Sequence, residues 1–263
     1  MPDPISPFQM AYTDRGQGQP VLLIHGYPLN RLLWQPQIEA LGDVARLLAP
    51  DLRGHGDSPA MAGPYGMDLL ADDLNAFLDA LGVTRPVVVC GLSMGGYVAF
   101  AFYRKYAARM NGLVLTATRS AADSPEARAG RDQAAETLRQ RGAAAIVEGM
   151  APRLLAPGTA AEKPELAARL REIMLKTSAE GVLGALAGMR DRPDSTLILG
   201  RIALPTLIIH GLHDQIVPLA EAQAMQAAIP GARLEVIPVA GHLPNLENPE
   251  AFNQALRQFI TSL

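Results

Sequence analysis

Short apolar runs alternate with helical patterns at both ends of the chain. The runs are rich in valine, leucine and isoleucine, and they predict strands at 21–24, 44–49, 86–90, 113–116, 205–209 and 234–237. Apolar residues recur at helical spacing in the segments between them, which predicts helices at 31–41, 68–81, 94–107, 219–228 and 248–260. Near-continuous apolar strands are buried on both faces, so the pattern predicts an α/β fold with a mostly parallel central sheet between helices.

The middle of the chain lacks this alternation. Only helical patterns occur there, at 125–141, 143–155, 164–176 and 180–189. We therefore predict that residues 120–204 form a helical cap inserted into an α/β core made of residues 1–119 and 205–263. Between Ser120 and Pro205 the chain has 12 Lys/Arg and 11 Asp/Glu, so the charge of this segment does not indicate an anionic substrate.

Composition excludes several classes of protein. Hydrophobic residues make up 49% of the 263 residues, which excludes intrinsic disorder. With 23 Lys+Arg against 26 Asp+Glu there is no basic excess, so we expect no nucleic-acid partner. The single cysteine, Cys90, excludes an internal disulfide and a multi-cysteine metal site, and it suits a cytoplasmic protein. Residues 1–7 lack a basic start, and no run of 18 apolar residues follows, so neither a signal peptide nor membrane association is expected.

A candidate nucleophile lies between the third predicted strand and the helix that follows it. The segment Gly91-Leu92-Ser93-Met94-Gly95 fits the G-x-S-x-G pattern, and this pattern requires a strand before it and a helix after it. The turn is sharp and tightly packed, so the neighbours of the serine need to be small. The start of the helix also favours negative charge at this point.

A serine hydroxyl needs a base, usually a histidine that a carboxylate orients. His242 follows the last predicted strand and Asp214 follows the preceding one, at the edge where open α/β sheets place their sites. The order Ser93, Asp214, His242 matches that of nucleophile-elbow hydrolases. Asp123 is an alternative acid. His213 is an alternative base, although its side chain should point away from that of its neighbour Asp214.

Taken together, the motifs resemble those of the α/β-hydrolase fold family, in its branch of small serine esterases, lactonases and C–C hydrolases. The resemblance covers nearly the whole chain and rests on His25–Pro28, Asp51–Ser58, Gly91–Gly96, Gly211–Asp214 and Gly241–His242. It implies that Ser93 is the nucleophile, His242 the general base and Asp214 the orienting carboxylate. Dehalogenases and epoxide hydrolases of this family have aspartate at the position of the nucleophile. The serine at position 93 therefore argues against both of these activities.

The resemblance also implies an oxyanion hole and a pocket. The oxyanion would accept the backbone N–H groups of Tyr27 and Met94, whereas Pro28 has no N–H to donate. Pocket positions of relatives correspond to Val217 and Leu243, and Pro28 lies in the oxyanion loop.

The reaction expected from these residues is hydrolysis of a small carboxylic ester or lactone through an acyl-enzyme. No cofactor or metal is expected. The chain lacks a phosphate-binding loop and H-E-x-x-H, and Gly54–Pro59 lacks the third glycine of a dinucleotide fingerprint. The expected partner is a small-molecule ester or lactone.

Three narrower functions stay open. A 3-oxoadipate enol-lactonase needs a cationic anchor for its acidic substrate, for which Arg119, Arg128, Arg131 and Arg153 are candidates. Hydrolysis of a C–C bond in a vinylogous diketone is disfavoured, because Leu92 stands where such relatives tend to have asparagine. A slow-turnover ligand receptor of the same fold is the third. Pro28 also makes a perhydrolase side activity conceivable.

Overall fold

The computed structural model describes residues 10–263. The segment 1–7, on which the expectation of no signal peptide rested, lies outside the described residues.

A seven-stranded sheet forms the centre of the molecule, in the order β1-β3-β2-β4-β5-β6-β7. The strands are β1 (Tyr12–Arg15), β2 (Gln19–Ile24), β3 (Ala45–Pro50), β4 (Val87–Leu92), β5 (Met110–Thr116), β6 (Thr206–Gly211) and β7 (Arg233–Ile237). All pairings are parallel except that of β1 with β3. The predicted fold class, a mostly parallel sheet with helices around it, is confirmed.

The helices are α1 (Gln35–Leu41), α2 (Met67–Ala80), α3 (Met94–Tyr106), α4 (Pro125–Leu154), α5 (Thr159–Glu162), α6 (Pro164–Leu175), α7 (Ala179–Arg190), α8 (Leu219–Ala228), α9 (Pro244–Glu247) and α10 (Pro249–Thr261). The longer helices follow the predicted alternation, whereas the short helices α5 and α9 were not predicted, and the helix predicted at 31–41 begins as a 3-10 turn over Arg31–Trp34. Within residues 10–263, no helix is both long and apolar enough to cross a membrane.

Strand β1 was not predicted from the sequence. Its four residues are mostly polar and only partly buried, because β1 lies at an edge of the sheet. Asp14 on β1 pairs with Arg46 on β3 at 2.7 Å, so a cross-strand ion pair contributes to this contact where apolar alternation is absent. A short polar strand of this kind has no hydrophobic period by which it could be recognised.

Alternate residues of the central strands supply two separate hydrophobic cores, one on each face of the sheet. Val87 and Val89 belong to one core with Phe102 of α3, whereas Val88 and Cys90 belong to the other with Phe252 of α10. Because these strands are buried on both faces, their sequences are continuous apolar runs.

Residues 120–204, which we call the cap segment, contain α4 to α7 and connect β5 to β6. Helix α4 is broken at Gly142 (φ 77°), which lies between the two helices predicted there. Helix α7 packs closely on the loop after β3, where the N–H of Tyr65 donates to the carbonyl of Gly184 and the hydroxyl of Ser178 donates to the carbonyl of Gly54. The division of the chain into a core and a cap domain stays a prediction.

Candidate active site

Ser93 occupies the sharp turn between β4 and α3. Its backbone has φ 55° and ψ −114°, a region that residues other than glycine rarely adopt. Two hydrogen bonds hold it there: the N–H of Ser93 donates to the carbonyl of Thr116 at 2.9 Å, and the hydroxyl of Thr118 donates to the carbonyl of Ser93 at 2.8 Å. This strained turn presents the side chain of Ser93 to a cavity above the sheet.

The glycines around Ser93 are required by close backbone approach. A Cβ atom at Gly91 would overlap the carbonyl of Gly95, and one at Gly95 would overlap the carbonyl of Ile24. Helix α3 can therefore begin directly against the strands only because both positions lack side chains.

His242 and Asp214 are joined by a buried hydrogen bond. The Nδ1 of His242 donates to Oδ2 of Asp214 at 2.8 Å, and each side chain is 1% exposed. The other carboxylate oxygen of Asp214 accepts the N–H groups of Ile216 at 2.8 Å and Val217 at 3.0 Å. Burial alone would raise the pKa of Asp214, but the charge and hydrogen bond of His242 together with these N–H groups lower it. Asp214 is therefore held as a carboxylate against the imidazole.

A second histidine lies beside the same carboxylate. The Nε2 of His210 is 3.6 Å from Oδ2 of Asp214 and donates to the carbonyl of Val217 at 2.9 Å. Burial lowers the pKa of His210, although the charge of Asp214 opposes this shift. His210 therefore packs as a neutral ring behind Asp214. His213, the alternative base, is exposed.

Asp123, the alternative acid, pairs with arginines. Its carboxylate contacts Nη1 of Arg192 at 2.5 Å and Nε of Arg131 at 3.1 Å. Arg192 is buried and its guanidinium lies 3.9 Å from the centre of the Tyr97 ring. Of the two acids, the structure thus places Asp214 and not Asp123 in contact with His242.

A cavity of about 670 Å³ lies between the sheet and helix α4. Ser93 and Tyr97 lie on the core side of it, and the α4 side chains include Ile146 and Met150. Three arginines also line it, namely Arg119, Arg131 and Arg153. Asp123 is the one acid in the described lining, so three positive charges stand there against one negative charge. Arg128, the fourth candidate anchor, is exposed on α4 and lies outside the described lining.

Only one of the three predicted pocket residues lines this cavity. Val217 does so. Pro28 and Leu243 are not among the described lining residues, and both are buried beside the site. The carbonyl of Pro28 accepts the hydroxyl of Thr177 from the cap segment at 2.8 Å. Leu243 directly precedes helix α9, and its side chain packs in the apolar core on one face of the sheet.

The backbone N–H groups of Tyr27 and Met94 have no acceptor among residues 10–263. Among the hydrogen bonds formed within residues 10–263, neither group is a donor. Met94 is the first residue of α3, so its N–H is one of the free donors at a helix start. Tyr27 follows β2 and precedes Pro28 through a cis peptide bond. Backbone donors without an acceptor are what an oxyanion hole requires, and the assignment of these two stays a prediction.

Sequence reasoning missed two residues near the site. Tyr97 lies four residues after Ser93, one helical turn along α3, and this spacing could have placed it on the cavity. Glu247 is 3% exposed and accepts hydrogen bonds from Gly241 and from the cap segment. Nothing in its local sequence distinguishes it from an exposed acid at a helix start.

No metal site is evident in the part of the chain that the structure describes. No group of three or more His, Cys, Asp or Glu side chains there could hold a metal ion.

Comparison of the sequence with those of known proteins identifies the family to which the chain belongs. The family model described as the alpha/beta hydrolase fold matches residues 19–249. The chain belongs to the α/β hydrolase fold family. This α/β hydrolase is 34% identical to 3-oxoadipate enol-lactonase 2 of Acinetobacter baylyi, over 93% of this chain and 90% of the relative. The resemblance stated from the sequence motifs is thereby confirmed.

Solved structures place the α/β hydrolase among esterases and lactonases. A thermophilic esterase from Thermogutta terrifontis, solved with malate bound, has a TM-score of 0.94 and 45% identity, covering 97% of this chain and 94% of that one. The enol-lactonase from Burkholderia xenovorans LB400 has a TM-score of 0.91 and 29% identity, covering 98% of each chain. The predicted enzyme class, a carboxylic ester hydrolase, is confirmed at this level.

Proposed function

We propose that this α/β hydrolase cleaves small carboxylic esters or lactones through a catalytic triad of Ser93, His242 and Asp214. The observation that carries the proposal is the buried hydrogen bond between His242 and Asp214 at the sheet edge where the strained Ser93 faces the cavity. An imidazole held in this way has its Nδ1 proton engaged, so its Nε2 is the nitrogen left to accept a proton.

The proposed reaction has two halves. Ser93 Oγ attacks the substrate carbonyl while Nε2 of His242 takes its proton, and the oxyanion accepts the N–H groups of Tyr27 and Met94. The C–O bond to the leaving alkoxide breaks, His242 returns the proton to it, and Ser93 carries the acyl group. Water then attacks the acyl-enzyme, with His242 again as base, and releases the acid and Ser93. Asp214 stabilises the charged imidazole in both halves.

Two p-nitrophenyl esters, the acetate and the butyrate, test this proposal. We expect turnover of both by the wild type, and a loss of about 10³-fold or more in kcat/KM for Ser93→Ala, because the nucleophile is removed. The unfolding temperature of the variant verifies that it is folded. Full activity in folded Ser93→Ala would overturn the mechanism. Tight ligand binding with turnover near zero in the wild type would favour the receptor instead.

A narrower second candidate is a lactonase for substrates that carry a carboxylate. It is favoured by Arg119, Arg131 and Arg153 on the cavity wall and by the 34% identity to a 3-oxoadipate enol-lactonase. Arg153 makes no hydrogen bond or ion pair within residues 10–263, so its charge is available to a ligand.

A lactone panel with and without a carboxylate tests this candidate. We expect Arg153→Gln to lower kcat/KM about ten-fold for carboxylate-bearing lactones only, as loss of one charged contact implies. Arg128→Gln is the matched control on the same helix: both arginines are exposed, but Arg128 lies outside the described lining of the cavity, so its variant should leave both rates unchanged. Equal effects of Arg153→Gln on both lactone classes would contradict a carboxylate anchor.

The cytoplasmic location stays a proposal that rests on the single cysteine.

A further inference from the structure

The N–H of Tyr27, a proposed oxyanion donor, belongs to a tight turn beside the candidate nucleophile. The N–H of Leu29 donates to the carbonyl of Gly26 at 2.9 Å and so closes the turn over Tyr27 and Pro28. The turn packs directly against Ser93, since a Cβ atom at Gly26 would lie 3.1 Å from the Cβ of Ser93. The placement of this turn therefore decides where the N–H of Tyr27 stands relative to the serine.

Thr177 of the cap segment contacts this turn. It lies between α6 and α7, it is 2% exposed, and its hydroxyl donates to the carbonyl of Pro28 at 2.8 Å. A proline has no N–H, so its carbonyl is the one backbone group by which hydrogen bonding can hold it. No other hydrogen bond to this carbonyl forms within residues 10–263.

The contact extends to Tyr27 through two peptide units. In a trans peptide, the carbonyl and the N–H point in opposite directions within one plane. The Pro28–Leu29 unit accepts from Thr177 at its carbonyl, and its N–H donates to the carbonyl of Gly26. The Gly26–Tyr27 unit therefore directs its own N–H away from that bond. Hydrogen bonds in such a chain also polarise one another, which makes the terminal N–H a stronger donor.

Further hydrogen bonds hold the turn from the core and from the cap segment. On the core side, Nδ1 of His25 donates to the carbonyl of Gly26 at 2.9 Å. On the cap side, the amide of Asn30 donates to the carbonyl of Ile173 on α6 at 2.8 Å. The turn is thus held between two parts of the chain, and Thr177 is the cap residue that is bonded to the turn itself.

We propose that Thr177 is a positioning residue for the oxyanion hole, which acts on the N–H of Tyr27 through the Pro28–Leu29 peptide. This inference rests on the proposed function, because an oxyanion forms only if Ser93 attacks a carbonyl. The cap segment then contributes to the stabilisation of the transition state as well as to the wall of the cavity.

Thr177→Val tests the proposal, because valine resembles threonine in shape but has no hydroxyl. Removal of a whole oxyanion donor lowers kcat by about 10²–10³-fold, so a donor that has lost its support should cost about ten-fold. We expect this loss for p-nitrophenyl butyrate with KM within about two-fold of the wild type, because both halves of the reaction use the oxyanion hole. Thr177→Ser keeps the hydroxyl and should recover most of the rate. Thr177→Ala removes the same hydroxyl and takes the place of the valine variant if that one does not fold.

Two ketone inhibitors separate the oxyanion hole from other effects. Oγ of Ser93 adds to the carbonyl of trifluoromethyl butyl ketone, His242 takes the serine proton, and the carbonyl oxygen becomes an oxyanion. Methyl butyl ketone binds in the same cavity without this addition. We expect Thr177→Val to weaken inhibition by the trifluoromethyl ketone about ten-fold, in step with kcat, and to leave inhibition by the methyl ketone unchanged.

Ser178→Ala is the matched control. Ser178 follows Thr177 and also joins the cap segment to the core, because its hydroxyl donates to the carbonyl of Gly54 at 3.1 Å. The same oxygen accepts the N–H of Gly181 at 3.0 Å at the start of α7. This variant should lower the unfolding temperature, while its kcat and the ratio of its two inhibition constants equal those of the wild type.

The outcomes distinguish the two proposals. If the wild type neither hydrolyses the butyrate nor is inhibited by the trifluoromethyl ketone, the proposed function fails. If the wild type is active and loss of the Thr177 hydroxyl changes inhibition by both ketones by the same factor, or by neither, only the role of Thr177 is overturned. A lower unfolding temperature with unchanged kcat would likewise show that Thr177 is merely structural.

Discussion

At the scale of residues, two acids near the cavity differ by the groups that they face. Asp214 accepts an imidazole N–H and two backbone N–H groups, whereas Asp123 faces two guanidinium groups. Loops after β5 and β6 bring both acids to the carboxyl edge of the sheet, so position alone left both possible from the sequence. The three-dimensional course of the loop after β7 decides between them, because it presents His242 to Asp214.

This difference leads to a prediction for two isosteric changes. Asp214→Asn should lower kcat/KM for p-nitrophenyl butyrate by about 10²–10⁴-fold, because an amide can donate to Nδ1 and so favours the wrong tautomer of His242. Asp123→Asn should change the same rate by less than about ten-fold and instead weaken its contacts with Arg131 and Arg192. Steady-state kinetics of both purified variants measure this. A larger loss in Asp123→Asn than in Asp214→Asn would contradict the assignment.

At the scale of elements, Glu247 at the end of α9 connects the cap segment to the loop that carries His242. One carboxylate oxygen accepts the N–H of Ala156 at 2.7 Å and the hydroxyl of Thr159 at 3.0 Å, and the other accepts the N–H of Gly241 at 2.7 Å. Gly241 directly precedes His242. The same residue therefore fixes the start of the short cap helix α5 and the position of the proposed base.

Removal of this connection should affect both stability and turnover. We expect Glu247→Ala to lower the free energy of unfolding by about 2 kcal/mol or more, because buried donors lose their acceptor. Its kcat should fall more than its KM rises, since His242 is displaced. Glu247→Gln keeps an acceptor and should recover part of both losses. Glu250→Gln, at an exposed position on α10, is the control and should be near neutral. A stable, fully active Glu247→Ala would contradict this role.

At the scale of the whole molecule, the sheet and the proposed triad could be predicted because both depend on local signals. Apolar strands buried on both faces show as continuous runs, and Ser93 and Asp214 each follow such a run, whereas His242 follows the edge strand β7, which alternates exposed and less exposed residues. Strand β1 has no comparable signal, because an exposed polar edge strand has no hydrophobic period.

The cavity wall could not be predicted in the same way. It depends on how helices distant in sequence pack together. Val217 lines the cavity, but Leu243 packs in the core. For the same reason the sequence left four candidate arginines, and only the fold separates the three that line the cavity from Arg128, which lies outside the described lining.

Two buried histidines should make the stability of the chain depend on pH. The rings of His25 and His55 lie 5.0 Å apart, and the N–H of Leu52 donates to Nε2 of His25. Burial lowers the pKa of His25 to about 4 and that of His55 to about 3. Unfolded histidine has a pKa of about 6.5, so below this pH the unfolded chain binds more protons than the folded chain. Stability should therefore fall between about pH 6.5 and pH 4.

Denaturant titrations between pH 7.5 and pH 4.5 measure this effect. Each histidine should contribute up to about 1.4 kcal/mol per pH unit to the slope. His55→Asn retains an amide that can donate to the carbonyl of Arg53, and it should flatten the curve. The exposed His213→Asn should leave the slope as in the wild type. If the His55→Asn and wild-type curves run parallel, the protonation of His55 does not limit stability.

In the proposed mechanism Ser93 is the nucleophile, and His242, held by Asp214, activates it. Covalent labelling with a p-nitrophenyl alkylphosphonate tests it most directly, because the reagent traps the attacking oxygen. We predict one phosphonyl group per chain, located on Ser93 by peptide mass mapping, with one equivalent of p-nitrophenol released and activity lost in step. Ser93→Ala should take no label, and His242→Ala should label far more slowly. A label on another residue, or full activity after Ser93 is labelled, would contradict the account.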